Sequence, residues 1–115
     1  MAIRIFHNPR CSKSRATLAL LQERGLDPEI VLYLENPPDA GELRSLLGKL
    51  GLTARQLMRK GEAEYSELGL SDESLDEEAL LKAMAAHPRL IERPIVLTGN
   101  RAAIGRPPEA VLDIL

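Results

Sequence analysis

The sequence predicts an α/β fold: a mixed four-stranded sheet, with an all-helical insertion between a βαβ half and a ββα half. Three observations carry this. Between Ile3 and Leu34 an apolar run, a helical run and a second apolar run follow one another. Residues from about 38 to 90 hold helix-capping signals and no strand pattern. After them come two short runs around Gly99-Asn100, then Pro107-Pro108 and a final apolar stretch. The chain of 115 residues reads as a single domain, long enough to bury a core without disulfides.

Each element has a local reason. Ile3 to Phe6 is a short apolar strand that Pro9 ends. Ser12 to Arg24 is helical, with Ser14, Thr17, Leu18 and Leu21 on one side and Gly25 as the stop. Glu29 to Leu34, rich in Ile, Val, Leu and Tyr, is the second strand, and Asn36-Pro37-Pro38 closes it. A strand, helix and strand of this length form a parallel pair with a right-handed crossover. Asp39 followed by Glu42 predicts a capping box for a helix carrying Leu43, Leu46, Leu47 and Leu50. Thr53 followed by Gln56 predicts a second box, for a short helix around Leu57 and Met58. Gly61 to Ser74 is acidic and weakly periodic, and reads as a solvated face. Asp76 caps a helix with Ala79, Leu80, Ala83 and Met84 inward, ending near His87-Pro88. Ile95 to Thr98 is the third strand. Gly99-Asn100 fits a two-residue hairpin turn into Arg101 to Ile104. Pro107-Pro108 suits the first turn of a closing helix that packs Val111, Leu112 and Leu115 back on the sheet.

Composition removes several classes of function. A formal net charge of −2 leaves no basic footprint for nucleic acid, and 3% aromatic residues leave no stacking platform for single strands. No apolar stretch approaches membrane-spanning length, so no membrane partner is expected. The start, Met-Ala-Ile-Arg-Ile-Phe, runs directly into a strand pattern without the look of a signal peptide, which makes the cytoplasm the expected compartment. A free thiol stays reduced there. Cys11 is the only cysteine, which excludes an internal disulfide, a Cys-x-x-Cys redox pair and a thiolate-rich zinc site. His7 with Cys11 lacks further ligands nearby, and no metal or tightly bound cofactor is expected.

The chemistry concentrates in His7-Asn8-Pro9-Arg10-Cys11-Ser12-Lys13-Ser14-Arg15. This stretch joins the first strand to the first helix. A thiol there faces the open amides of a helix start, which favour an anion, either a thiolate or a bound oxyanion. Arg10, Lys13 and Arg15 act in the same direction. Cys11 therefore reads as a nucleophile with a lowered pKa. Ser14, at i+3, returns to the same face of the helix. A phosphatase-type Cys-x5-Arg loop is excluded, because position 17 is Thr17 and the first arginine after Cys11 is Arg15.

With the insertion set aside, the element order is that of the thioredoxin/glutaredoxin-like fold. In that fold a reactive cysteine sits at the first strand-to-helix turn, and a proline opening the third strand is usually cis; Pro94 stands in that place. Five blocks go further: His-Asn-Pro-Arg-Cys-Ser-Lys-Ser-Arg, Leu-Tyr-Leu-Glu-Asn-Pro-Pro, Leu-Met-Arg-Lys, Arg-Pro-Ile-Val, and Gly-Arg-Pro-Pro-Glu-Ala-Val-Leu-Asp-Ile-Leu. In this order, and over nearly the whole chain, they resemble the glutaredoxin-linked arsenate reductase (ArsC-type) family. The resemblance implies that Cys11 attacks arsenate to form a thiol–arsenate adduct, that glutathione resolves the adduct as co-substrate, and that a glutaredoxin restores the enzyme. It also implies oxyanion-binding roles for Arg59, Arg93 and Arg106, whose guanidinium forks suit a tetrahedral oxyanion. His7 and Ser14 match positions that lower the thiol pKa. The best-known members carry Gly-Thr after the cysteine; Ser12-Lys13 is more similar to a chromosomal subgroup with Cys-Ser-Lys-Ser. A regulator of the Spx type is the alternative of another class, but such proteins commonly carry Cys-x-x-Cys, and Ser14 stands here in place of the second thiol. A monothiol reductase of another substrate is the remaining alternative.

Overall fold

The structure, a computed structural model, describes residues 3–115. Its element order is β1 (Ile3–Phe6), α1 (Ser12–Glu23), β2 (Glu29–Val31), α2 (Ala40–Leu50), α3 (Ala54–Leu57), α4 (Ala63–Glu67), α5 (Glu77–Ala86), β3 (Ile95–Thr98) and β4 (Arg101–Ile104), with 310 helices at Pro88–Leu90 and Pro108–Ile114. The chain divides into two compact units. The first runs to Asn36 and resumes from Arg93 to Leu115; the second is Pro37–Glu92.

The first unit is built on one mixed sheet of order β2-β1-β3-β4. β1 pairs parallel with β2, placing Ile5 opposite Ile30, and antiparallel with β3, placing Ile5 opposite Val96. β3 and β4 form the hairpin around Gly99-Asn100, with Thr98 opposite Arg101 and Gly99 at φ 55°. This is the thioredoxin-like sheet expected from the element order. Its core joins Ile5 and Val96 of the sheet to Leu21 of α1 and to Val111 and Ile114 of the closing helix, all buried. α1 buries Ser14, Thr17 and Leu21, the stripe its periodicity predicts.

Two boundaries differ from expectation. β2 stops at Val31 and does not continue to Leu34. The Leu32 carbonyl accepts the amides of Glu35 and Asn36, at 3.0 and 2.9 Å, so the chain turns at once. The turn sends Tyr33 inward to stack on Phe6 with ring centroids 6.3 Å apart, and leaves Leu34 exposed. The closing helix is 310, and Leu115 is 47% exposed where packing was expected. A three-residue repeat puts Val111 and Ile114 on one side, and these are the residues that pack inward.

The second unit is helical. The Asp39 carboxylate accepts the Glu42 amide at 2.8 Å and starts α2, and the Asp76 carboxylate does the same for α5 with the Ala79 amide. Thr53 and Gln56 make the full reciprocal box at α3. α2 packs on α5 through buried leucines, and an Arg44–Glu78 ion pair ties the same two helices at the surface. In α5 the buried residues are Leu80, Leu81 and Met84, while Ala79 and Ala83 are half-buried. The acidic stretch contains α4, which the sequence pattern did not reveal. The Arg55 guanidinium gathers it by donating to the Tyr65 hydroxyl and to the carbonyls of Leu70 and Asp72.

Candidate active site

The turn between β1 and α1 closes on itself around Asn8. The Asn8 carbonyl accepts the Cys11 amide and its side-chain oxygen accepts the Arg10 amide, each at 3.0 Å. The Asn8 amide donates to the Ser14 hydroxyl oxygen at 3.0 Å. Arg15 folds back from α1 and donates to the Pro9 carbonyl at 2.9 Å. These bonds fix Cys11 at the cap position of α1, with extended backbone and with no side-chain oxygen capping the helix. The Ser14 and Lys13 amides are thereby left to the sulfur.

The thiol is nearly buried, at 8% exposure. Burial alone pushes its pKa up. The Ser14 amide, the Arg93 charge, the Lys13 amide and a hydrogen bond from the Arg93 side chain together outweigh burial, and they hold the thiol below its ordinary value. Arg106 adds an Nη2 at 4.0 Å from Sγ, and its Nε donates to the Arg93 carbonyl at 2.8 Å. The peptide between Arg93 and Pro94 is cis, as expected; so is that between Arg106 and Pro107. Gly105 lets the two arginine-bearing segments meet α1. Its amide donates to the Pro94 carbonyl at 2.9 Å, and a Cβ on it would stand 2.5 Å from Thr17 Oγ1 and 2.8 Å from Pro94 Cγ.

His7 is buried, and its Nδ1 lies 2.6 Å from the Ser14 hydroxyl. Burial, then the nearby Arg15 charge, lowers its pKa and keeps the ring neutral. The Ser14 hydroxyl thus joins the Asn8 amide, from which it accepts, to the His7 ring, with which it shares a hydrogen bond whose direction follows the ring tautomer. Ser14 therefore meets the sulfur through its amide and His7 through its hydroxyl. Arg59 belongs to the helical unit. There its guanidinium pairs with Glu62 at 3.5 Å and Glu92 at 3.7 Å, and its amide donates to the Leu90 carbonyl at 2.7 Å. Among the described residues, no cluster of three or more His, Cys, Asp or Glu is arranged to hold a metal ion, and no helix is long and apolar enough to cross a membrane.

The structure thus brings Arg93 and Arg106, two of the three arginines named from the motif blocks, to a thiol at a helix start, while Arg59 is paired within the helical unit. The family model for the ArsC family matches residues 6–114. The chain belongs to the ArsC family. It is 60% identical to "Uncharacterized protein YfgD" of Escherichia coli (strain K12), over 98% of this chain and 96% of that one. It is 56% identical to a protein named "Arsenate reductase" of Neisseria meningitidis serogroup A, over 98% of this chain and 97% of that one. Among solved structures, "Arsenate reductase from Vibrio cholerae" superposes with a TM-score of 0.98 at 52% identity, covering all of this chain and 98% of that one.

Within this ArsC chain, sequence reasoning singled out the Cys11 thiol and the two arginines beside it, Arg93 and Arg106. It did not single out Asn8, whose three bonds shape the turn, nor Gly105. Asn-Pro after a strand is a turn signal that points to Asn8. Nothing in the sequence pairs Gly105 with Thr17, because that approach exists only once the chain is folded.

Proposed function

We propose that the protein is a glutathione- and glutaredoxin-dependent arsenate reductase. The observation that carries the proposal is the convergence on one sulfur of the Ser14 and Lys13 amides with the Arg93 and Arg106 guanidiniums. Those groups suit both states of the reaction: the free thiolate, and a tetrahedral oxyanion joined to it. The names of the relatives at 56% identity and, for the solved structure, 52% support the same substrate.

In the proposed reaction the Cys11 thiolate attacks the arsenic of arsenate. A sulfur–arsenic bond forms, an arsenic–oxygen bond breaks, and the leaving oxygen takes protons and departs as water; arsenic keeps its oxidation state. Glutathione thiolate then attacks the Cys11 sulfur. A sulfur–sulfur bond forms and the electron pair of the sulfur–arsenic bond passes to arsenic, which leaves protonated as arsenite. A glutaredoxin returns the mixed disulfide to the thiol. An external thiol is needed because the chain has no second cysteine. Arg59 is included in the proposal on the sequence resemblance alone, as a contributor to oxyanion affinity. The cytoplasm, where glutathione is reduced, is the compartment the reaction requires.

The test is NADPH consumption coupled through glutathione reductase, with glutathione, glutaredoxin and arsenate, comparing the protein with Cys11→Ser. Arsenate-dependent turnover that Cys11→Ser abolishes is the expected result. Equal turnover in both proteins, or none in either under full coupling, rejects the proposal.

A further inference from the structure

Sheet order separates two sides of the thiol. Cys11 follows β1, the second strand of the order β2-β1-β3-β4. Both guanidiniums come from the β3–β4 side: Arg93 precedes β3 and Arg106 follows β4. On the β2 side lies an open groove of about 310 Å3, lined by His7, Asn8, Pro9 and Arg10 of the thiol turn and by Leu32, Leu34 and Glu35 after β2. The two sides share no residue.

Displacement at sulfur needs the entering thiolate and the leaving arsenic on opposite sides of the sulfur, in line. If the oxyanion sits with Arg93 and Arg106, the second thiol has to arrive from elsewhere. The groove has the complementary chemistry for a small peptide. Leu32 and Leu34 give it an apolar floor, and Leu34 is 39% exposed. Arg10 supplies a cation beside the thiol turn, Glu35 supplies an anion after β2, and among the described residues neither forms an ion pair. Glutathione carries two carboxylates and one ammonium on a chain of three residues, so it can answer both charges at once. The volume is at the lower end of the range for small-ligand clefts, roughly 300–1,000 Å3.

We infer that the groove between the thiol turn and the end of β2 is the glutathione subsite, from which the second thiolate reaches Cys11 opposite the arginine-held oxyanion. A carboxylate of the peptide meets Arg10, its ammonium meets Glu35, and Leu34 supports the backbone between them. The step is the second of the proposed reaction: the sulfur–sulfur bond forms, the sulfur–arsenic bond breaks, and the electron pair stays with arsenic. This inference rests on the arsenate reductase reading, but the binding it describes is measurable without arsenate.

Two measurements decide it. Amide chemical shifts of the wild-type protein are followed during titration with S-methylglutathione, which cannot form a disulfide. Shifts concentrated at Asn8, Arg10 and Leu32 to Glu35 support the groove; shifts concentrated at Arg93 to Ile95, or none at millimolar ligand, overturn it. In the coupled assay, Leu34→Glu and Glu35→Arg are expected to raise the KM for glutathione by about tenfold, the worth of one lost contact of ordinary strength. The KM for arsenate and the pH midpoint of Cys11 alkylation should stay as in wild type. An unchanged glutathione KM, or a change confined to the KM for glutaredoxin, also overturns the inference. Absence of arsenate turnover in the wild type instead defeats the proposed function, and the titration still reports on the groove.

Discussion

Gly105→Ala tests how tightly the arginine-bearing segments are set against α1. The added methyl would stand 2.5 Å from Thr17 Oγ1, 2.8 Å from Pro94 Cγ and 3.2 Å from Thr17 Cγ2. The first two are closer than van der Waals contact allows, so something must shift. Neither neighbour yields cheaply: the Thr17 hydroxyl is held by the Lys13 carbonyl at 2.8 Å, and Pro94 is a ring at the head of β3. Overpacking of this kind costs about 1–3 kcal/mol. An unfolding entropy of about 2.1 cal/mol/K per residue converts each kcal/mol, over 115 residues, into about 4 °C. Gly105→Ala should therefore lower Tm by roughly 4–12 °C. The assay is thermal unfolding of the wild type, Gly105→Ala, Thr17→Ala and the double variant. Thr17→Ala removes two of the three contacts, so the double variant should be more stable than the sum of the single changes by about 0.5 kcal/mol or more. A Tm within 1 °C of wild type for Gly105→Ala, or strict additivity in the cycle, refutes the reasoning.

Two further outcomes concern the sulfur and its neighbours. Removing the Arg93 charge with Arg93→Gln should raise the pH midpoint of Cys11 alkylation by iodoacetamide, because a cation and a donor that favour thiolate are lost while burial remains; a midpoint already at the free-thiol value of about 8.5 in wild type contradicts this account. His7 has a lowered pKa in the fold, so the unfolded chain binds its proton more readily. Stability from this group is complete above the unfolded value of about 6.5 and declines as the pH falls below it. Denaturant unfolding at several pH values should show that decline in wild type and a smaller one in His7→Gln; identical pH profiles exclude His7 as its source.

The parts legible in the sequence are those fixed by short-range chemistry. Asp39, Thr53 and Asp76 announce their helices because a side-chain oxygen reaches an amide three residues on. Gly99-Asn100 announces the hairpin because the turn needs a residue free to take positive φ. Cys11 is legible because the residues around it are a strand, a breaker and a helix start. The misses are long-range. β2 is cut short by carbonyl sharing at Leu32 and by burial of Tyr33 against Phe6, and neither alters the alternation of apolar residues. α4 is held through its Tyr65 hydroxyl by Arg55, from outside its own segment. Val111 packs inward as expected, but Ile114 takes the place expected for Leu115 because the last helix winds with three residues per turn, which apolar spacing in so short a stretch does not reveal. The two guanidiniums at the thiol lie more than eighty residues away along the chain, and only family likeness brought them forward. Their placement at Cys11 follows from the antiparallel return of β3 and β4.

The cap of α1 has a consequence for time as well as structure. Where most helices begin on a serine, threonine or aspartate, this one begins on Cys11, the group that the proposed reaction uses. In the proposed reaction each turnover would exchange the anion that the Lys13 and Ser14 amides hold. The first turn of α1 should then be firmest while the sulfur is ionised and loosen when the sulfur is bonded to another atom. On that proposal, exchange of those two amide protons with solvent would serve as a clock of the cycle, readable without following the substrate at all.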